Sequence, residues 1–140
     1  MRKKFMDAYK DSTSKSVEYF AVDFFKDVDL YYLLEIDENT LVYVDELHHQ
    51  DKVQTLYLFT DDKIRKVKLS IRDGERIIKA SSIKTSDINK ISLEQRSYES
   101  VTLTIELKDK SKIVLDSKNI FSHWQSKARK VIKEIYKKYY

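Results

Sequence analysis

With 140 residues, of which 41% are hydrophobic and 36% charged, the chain has the size of one domain; it is too apolar for a disordered segment and too charged for a membrane-embedded one. It contains no cysteine, which excludes disulfide frameworks, thiolate metal sites and cysteine nucleophiles, and its single glycine, Gly74, excludes a glycine-rich phosphate loop. The net charge of +4 is unevenly placed: residues 17–51 hold ten acids against Lys26, a balance of −9, so the remainder of the chain carries +13 and the two parts can satisfy each other.

The opening "MRKKFMDAYKDSTSK" begins with positive charge, but Asp7, Lys10 and Asp11 break the continuous apolar stretch that a signal peptide needs. No uncharged apolar run long enough to cross a bilayer follows it, so the expected location is the cytoplasm. Missing proline and abundant Lys, Ile and Tyr fit an AT-rich, bacterial genome.

In "SVEYFAVDFFKDV" the apolar residues Val17, Phe20, Ala21, Phe24, Phe25 and Val28 recur at the spacing of one helical face, and Glu18, Asp23, Lys26 and Asp27 take the other. This predicts an acidic amphipathic helix over about 15–29, with Ser14 or Ser16 as its N-cap. The run "LYYLLEI" (30–36) fits a helix and a strand equally well.

From residue 40 the period becomes two. "TLVYVDEL" (40–47), "VQTLYLFT" (53–60) and "KIRKVKLSIR" (63–72) read as strands, and Asp73-Gly74 as a two-residue type I′ turn. That turn sets a register: Arg72 faces Glu75, Ile71 faces Arg76, Leu69 faces Ile78, and Val67 faces Ala80. Val67, Leu69, Ile71, Ile78 and Ala80 then share one face, and Lys66, Lys68, Arg72 and Lys79 form a basic strip on the other. "DINKISLEQ" (87–95), "SVTLTIELK" (100–108) and "SKIVLD" (111–116) complete seven strands joined by short loops, an antiparallel meander. The closing segment 117–140 has helical period, with Phe121, Trp124, Ala128, Val131, Ile132, Ile135 and Tyr139 on one face and Ser117 or Asn119 as the start cap. The expectation is a single domain over 1–140: a helical segment (1–36), strands (40–116) and a C-terminal helix (117–140).

Residues 53–140 resemble the bacterial pleckstrin-homology-like (PH-like) domains. The resemblance lies in "LYLFTDDKIRKVKL" as a strand-turn-strand, in "IKTSDINKISLEQ", and in "LTIELKDKSKIVLDS" as the last hairpin before a helix. It implies an α+β fold: a seven-stranded antiparallel sheet or partial barrel, its two orthogonal sheets closed by a C-terminal capping helix, with the N-terminal amphipathic helix as an addition. It also implies binding of lipid headgroups, peptides or proteins, or assembly into complexes. Lipid-binding members carry clustered basic residues across the first two strands, whereas "TLVYVDELHHQDKVQTLYLF" has Lys52 and three acids. A protein partner, or a second copy of the chain, is therefore the expected ligand.

Phe24, Phe25, Tyr31 and Tyr32 are candidates for partner contact, being more aromatic surface than a small core needs. Arg129, Lys130, Lys133 and Lys137, together with Lys66, Lys68, Arg72 and Lys79, are candidates for contact with an anionic surface; a peripheral membrane module is the alternative function and nucleic acid the less favoured anion. A solvated helix face beside a sheet, and lysines at a helix C-terminus, require no ligand at all. His48 and His49 point to opposite sides of an extended chain, so they do not form a metal pair. An EF-hand over Asp27–Glu38 fails because Tyr32 stands where glycine is required. No nucleophile elbow, HExxH or phosphate loop is present, and no cofactor is called for. The expected function is non-enzymatic, an enzyme of unknown chemistry being the third alternative.

Overall fold

The structure is a computed structural model that describes residues 39–45, 54–97, 99–119 and 125–140. The expected N-terminal helix, the 30–36 run, His48, His49, His123, Phe121 and Trp124 lie outside the described residues.

Seven strands follow in chain order: β1 (Leu41–Asp45), β2 (Gln54–Phe59), β3 (Lys63–Arg72), β4 (Glu75–Lys84), β5 (Ile88–Arg96), β6 (Ser100–Leu107) and β7 (Lys112–Asp116), then helix α1 (Gln125–Tyr139). The meander divides after β4 into two antiparallel sheets, ordered β1-β2-β3-β4 and β5-β6-β7. A 3-10 turn, Thr85–Asp87, separates them. The architecture is α+β.

The β3–β4 register matches the sequence expectation pair for pair, including Arg72 opposite Glu75 and Leu69 opposite Ile78. Asp73 and Gly74 both adopt positive φ, 52° and 76°, which is what a type I′ turn demands. The second sheet alternates cleanly. Val101, Leu103, Ile105 and Leu107 of β6 and Ile113 and Leu115 of β7 are buried, while Thr102, Thr104 and Glu106 stay partly exposed. Helix α1 lays Ala128, Val131, Ile132 and Ile135 into the core and packs against β6, β1 and β5. Burying four aliphatic side chains of this kind stabilises the fold by roughly 1.5–3 kcal/mol per large residue.

The turn between β2 and β3 is a junction. The Lys63 amide donates to Thr60 Oγ1 at 3.0 Å and the Thr60 amide to the Lys63 carbonyl at 2.9 Å, closing the turn. The Thr85 amide donates to the Asp62 carbonyl at 2.9 Å, tying in the sheet-to-sheet crossing. From α1, Lys138 Nζ reaches Asp61 Oδ1 at 2.8 Å, and the Tyr139 hydroxyl donates to the Thr60 carbonyl. The "TDDK" stretch thus fastens both sheets and the helix end to one another. Ser117, expected as a helix cap, has another role: its Oγ accepts the Val101 amide at 3.0 Å in a fully buried bond that terminates β6.

Candidate functional site

The first sheet ends at β4, which pairs with β3 and has no second neighbour among the described strands. In an antiparallel ladder, residues flanking a two-residue turn exchange both backbone bonds, and such pairs recur at every second residue. Arg72–Glu75 is that flanking pair, so Ile77, Lys79, Ser81 and Ile83 direct their backbone groups to β3, and Ile78, Ala80 and Ser82 direct theirs away from the sheet. Lys79, Ala80, Ser81 and Ser82 are exposed on both faces of the strand. The side chains "KASS" are short after the lysine, so the amides and carbonyls are sterically open to a fifth strand.

At its C-terminal end this edge runs into a hollow of about 700 Å³ at the crossing between the sheets. Ser82 belongs to both the edge and the hollow. Ile83 and Leu107 give the hollow apolar surface, and Lys84, Lys108, Asp87, Asp109 and the hydroxyls of Ser86 and Ser111 make its rim. Asp109 Oδ1 accepts the Ser111 amide at 2.9 Å, and its hydrogen bonds with Ser111 hold its carboxyl below the usual range, so it stays ionised. Mixed charge around an apolar floor suits one apolar side chain of an extended peptide. Among the described residues, no group of three or more His, Asp or Glu is arranged to hold a metal ion.

The residues singled out in the sequence fall in different places. Lys66, Lys68 and Lys79 do lie together: Lys68 stands directly opposite Lys79, and Lys66 is two residues along. Lys66 is half-buried, with its Nζ 5.7 Å from the Tyr57 ring centre, and burial, followed by the charge of Lys68, lowers its pKa. Arg72 pairs with Glu75 across the turn. Arg129, Lys130, Lys133 and Lys137 lie on a different element, α1. Arg129 Nη1 donates to the Glu99 carbonyl at 3.3 Å, and Lys138 is turned to Asp61 with its side chain 15% exposed. Of this group Lys130 and Lys137 are exposed and Lys133 partly so. Phe24, Phe25, Tyr31 and Tyr32 lie outside the described residues. The β4 edge was not singled out by its sequence. Its only signal is the weak side-chain character of "KASSIK", which shows no apolar alternation. A smaller depression of about 550 Å³, between Leu41, Asp61, Glu134 and Lys137, lies beside the "TDDK" junction.

No helix among the described residues is long and apolar enough to cross a membrane. Compared with protein-family models, curated proteins and solved structures, the chain matches none.

Proposed function

We propose that the protein is a non-catalytic, cytoplasmic protein-binding or assembly module of PH-like type, which takes an extended segment of a partner, or of a second copy, along the open edge of β4. The four-plus-three arrangement of antiparallel strands with a C-terminal helix against β1, β5 and β6 supports the PH-like reading. The observation that carries the binding reading is the edge itself: outward backbone groups at Ile78, Ala80 and Ser82, short exposed side chains, and a hollow at Ser82 for one side chain of the incoming strand.

Proline at Ala80 removes an outward N–H and leaves the β3 ladder intact, since edge strands accept proline where the N–H faces solvent. Full-length wild-type and Ala80→Pro chains are compared by affinity capture and by sedimentation velocity over a concentration series. The reading expects capture or self-association by the wild type to be lost in Ala80→Pro at unchanged melting temperature. A monomeric wild type that captures nothing, or capture indifferent to the substitution, overturns it.

A second reading, a peripheral membrane module acting through α1, draws on Lys130, Lys133 and Lys137 beside Tyr140, which is 79% exposed and stacked on Tyr136 with ring centres 5.3 Å apart. It carries less, because Arg129 and Lys138 are turned to the protein. It predicts co-sedimentation with anionic vesicles that falls with salt and is lost when Lys130, Lys133 and Lys137 become glutamate.

A further inference from the structure

The β3–β4 hairpin is charged against itself. Lys68 stands directly opposite Lys79, and Lys63 directly opposite Lys84. Like charges opposite one another on two strands destabilise a sheet, so each pair is a cost to the isolated fold. Lys68, Lys79 and Lys84 are exposed and Lys63 partly so, and none of the four makes an ion pair with a described residue. What relieves such pairs is negative charge brought to them from outside.

The outer members of both pairs, Lys79 and Lys84, lie on β4. By the alternation of a strand they point to opposite faces. Lys79 shares its face with Ser81 and Ile83; at the far end of that face α1 packs, with the Phe59 and Tyr139 ring centres 6.2 Å apart. Lys84 shares the other face with Ala80 and Ser82 and borders the hollow. Toward an added strand, Lys79 holds a non-hydrogen-bonded position, where facing side chains come closest. Lys84 continues the outward series of Ile78, Ala80 and Ser82.

We infer that the segment added to β4 is an acidic one from another protein, antiparallel to β4, with a carboxylate opposite Lys79, a second opposite Lys84 and an apolar side chain opposite Ser82 at the hollow. This rests on the strand-addition reading and names its ligand. From its N-terminus the segment reads acid, any, apolar, any, any, acid. A second copy does not fit, because from Arg76 to Lys84 it offers three basic residues and no acid, and two such edges repel. Antiparallel pairing is the more stable direction per residue. A lipid surface or a single-stranded nucleic acid matches the charge but leaves the outward amides unused. Each also calls for exposed apolar or aromatic side chains, and the large ones among the described residues, Val114 and Tyr140, lie outside this hairpin.

The probe is a short peptide with glutamate, threonine, leucine, threonine, threonine, glutamate at its centre, titrated into the full chain and followed by amide NMR. The Ile78, Ala80 and Ser82 amides should shift while Leu103 and Ile105 stay. Affinity should be on the order of tenfold higher than for the same peptide with lysines in place of glutamates, and should fall with salt. A peptide of equal composition, each glutamate moved one place toward the leucine, should bind more weakly. Lys79→Glu should weaken the glutamate peptide and strengthen the lysine one at an unchanged or higher melting temperature, which separates lost recognition from lost folding. Equal affinities among the three peptides, no shifts with the glutamate peptide, or Lys79-dependent binding of anionic vesicles or an oligonucleotide in its place overturns the inference. Ala80→Pro distinguishes the two failures. Binding without charge preference that is lost in Ala80→Pro ends the acidic partner and keeps strand addition; glutamate-peptide binding that survives Ala80→Pro ends both. Self-association lost in Ala80→Pro gives the edge to a second copy and overturns the inference as well.

Discussion

The two sheets use the same alternating code with different outcomes. In the β5-β6-β7 sheet one face is core and the other wet: Leu103 and Ile105 are fully buried, and Val114, on the outer face opposite Thr104, is 49% exposed. In the β1-β2-β3-β4 sheet, Leu58 and Phe59, adjacent residues on opposite faces, are both fully buried. The second sheet is thus buried on one face, whereas the first is buried on both faces at β2. At β4, the last strand of the same sheet among the described residues, the burial ends and residues 79–82 are exposed.

The largest effect that tests this contrast comes from one charge placed on each outer face. Val42→Asp places a carboxylate where Val42 and its cross-strand partner Leu58 are both fully buried and should cost about 4 kcal/mol or more, close to the whole stability of a marginal domain. Thr104→Asp, on the outer face of the second sheet, should stay within about 0.5 kcal/mol. Equal losses in urea titrations of the two variants would make the first sheet no more covered than the second.

Next in size is the edge. Ser81 turns its N–H to β3 and Ala80 turns its N–H outward, by the alternation that starts at Arg72–Glu75. Ser81→Pro removes a ladder bond and leaves a carbonyl of β3 without its donor, a loss of about 1–3 kcal/mol, and Ala80→Pro should lose well under half as much. Similar losses for the two neighbours would mean that the register of open and paired amides is shifted by one.

Much of this was legible in the chain. "DG" between two apolar runs fixed the β3–β4 register, because a type I′ turn permits one pairing. "VTLTIEL" announced a half-buried strand by strict alternation, and the burial follows it residue by residue. At "LYLF" the alternation expected from residue 40 onward fails: Leu56 to Phe59 are all buried, as in a strand buried on both faces. The division into two sheets was carried by the family resemblance and not by the residue pattern. It rests on Thr85 bonding back to Asp62 and on the side chains of α1 reaching Thr60 and Asp61, contacts between residues up to 79 apart in sequence. The open edge was illegible for the same reason, since a strand is an edge through the neighbours it lacks.

A smaller effect is expected at the pair Lys68 and Lys79. Like charges directly opposite one another on a sheet are unfavourable, so Lys79→Glu should raise stability by roughly 0.2–1 kcal/mol, with the gain shrinking in high salt. An unchanged melting temperature at low salt would show that both ammonium groups turn away from each other into water.

The smallest change at neutral pH, and the most specific to the α1 side of the first sheet, is Tyr43→Phe. The Tyr43 hydroxyl is buried with no hydrogen-bond partner among the described residues, so its removal should be neutral or stabilising by up to ~1 kcal/mol. Alkaline pH separates it from a silent substitution. Burial, with Asp45 and Asp116 adding to it, pushes the Tyr43 phenol well above the ordinary value of 10.0. An unfolded chain therefore loses this proton as pH rises past 10 while the folded chain keeps it, so the folded state binds more protons and stability falls with pH in that window. One such group contributes a slope of about −1.4 kcal/mol per pH unit once the unfolded phenol is ionised. Tyr139, raised by burial and then by Asp61 and Asp62, adds in the same direction and remains in both proteins. Tyr43→Phe should consequently match or slightly exceed the wild type at pH 8 and gain on it steadily above pH 10. Parallel stability curves across that range would mean that the phenol ionises as readily in the fold as in water, and that the α1-facing side of this sheet admits solvent where Val42 and Leu58 behind it do not.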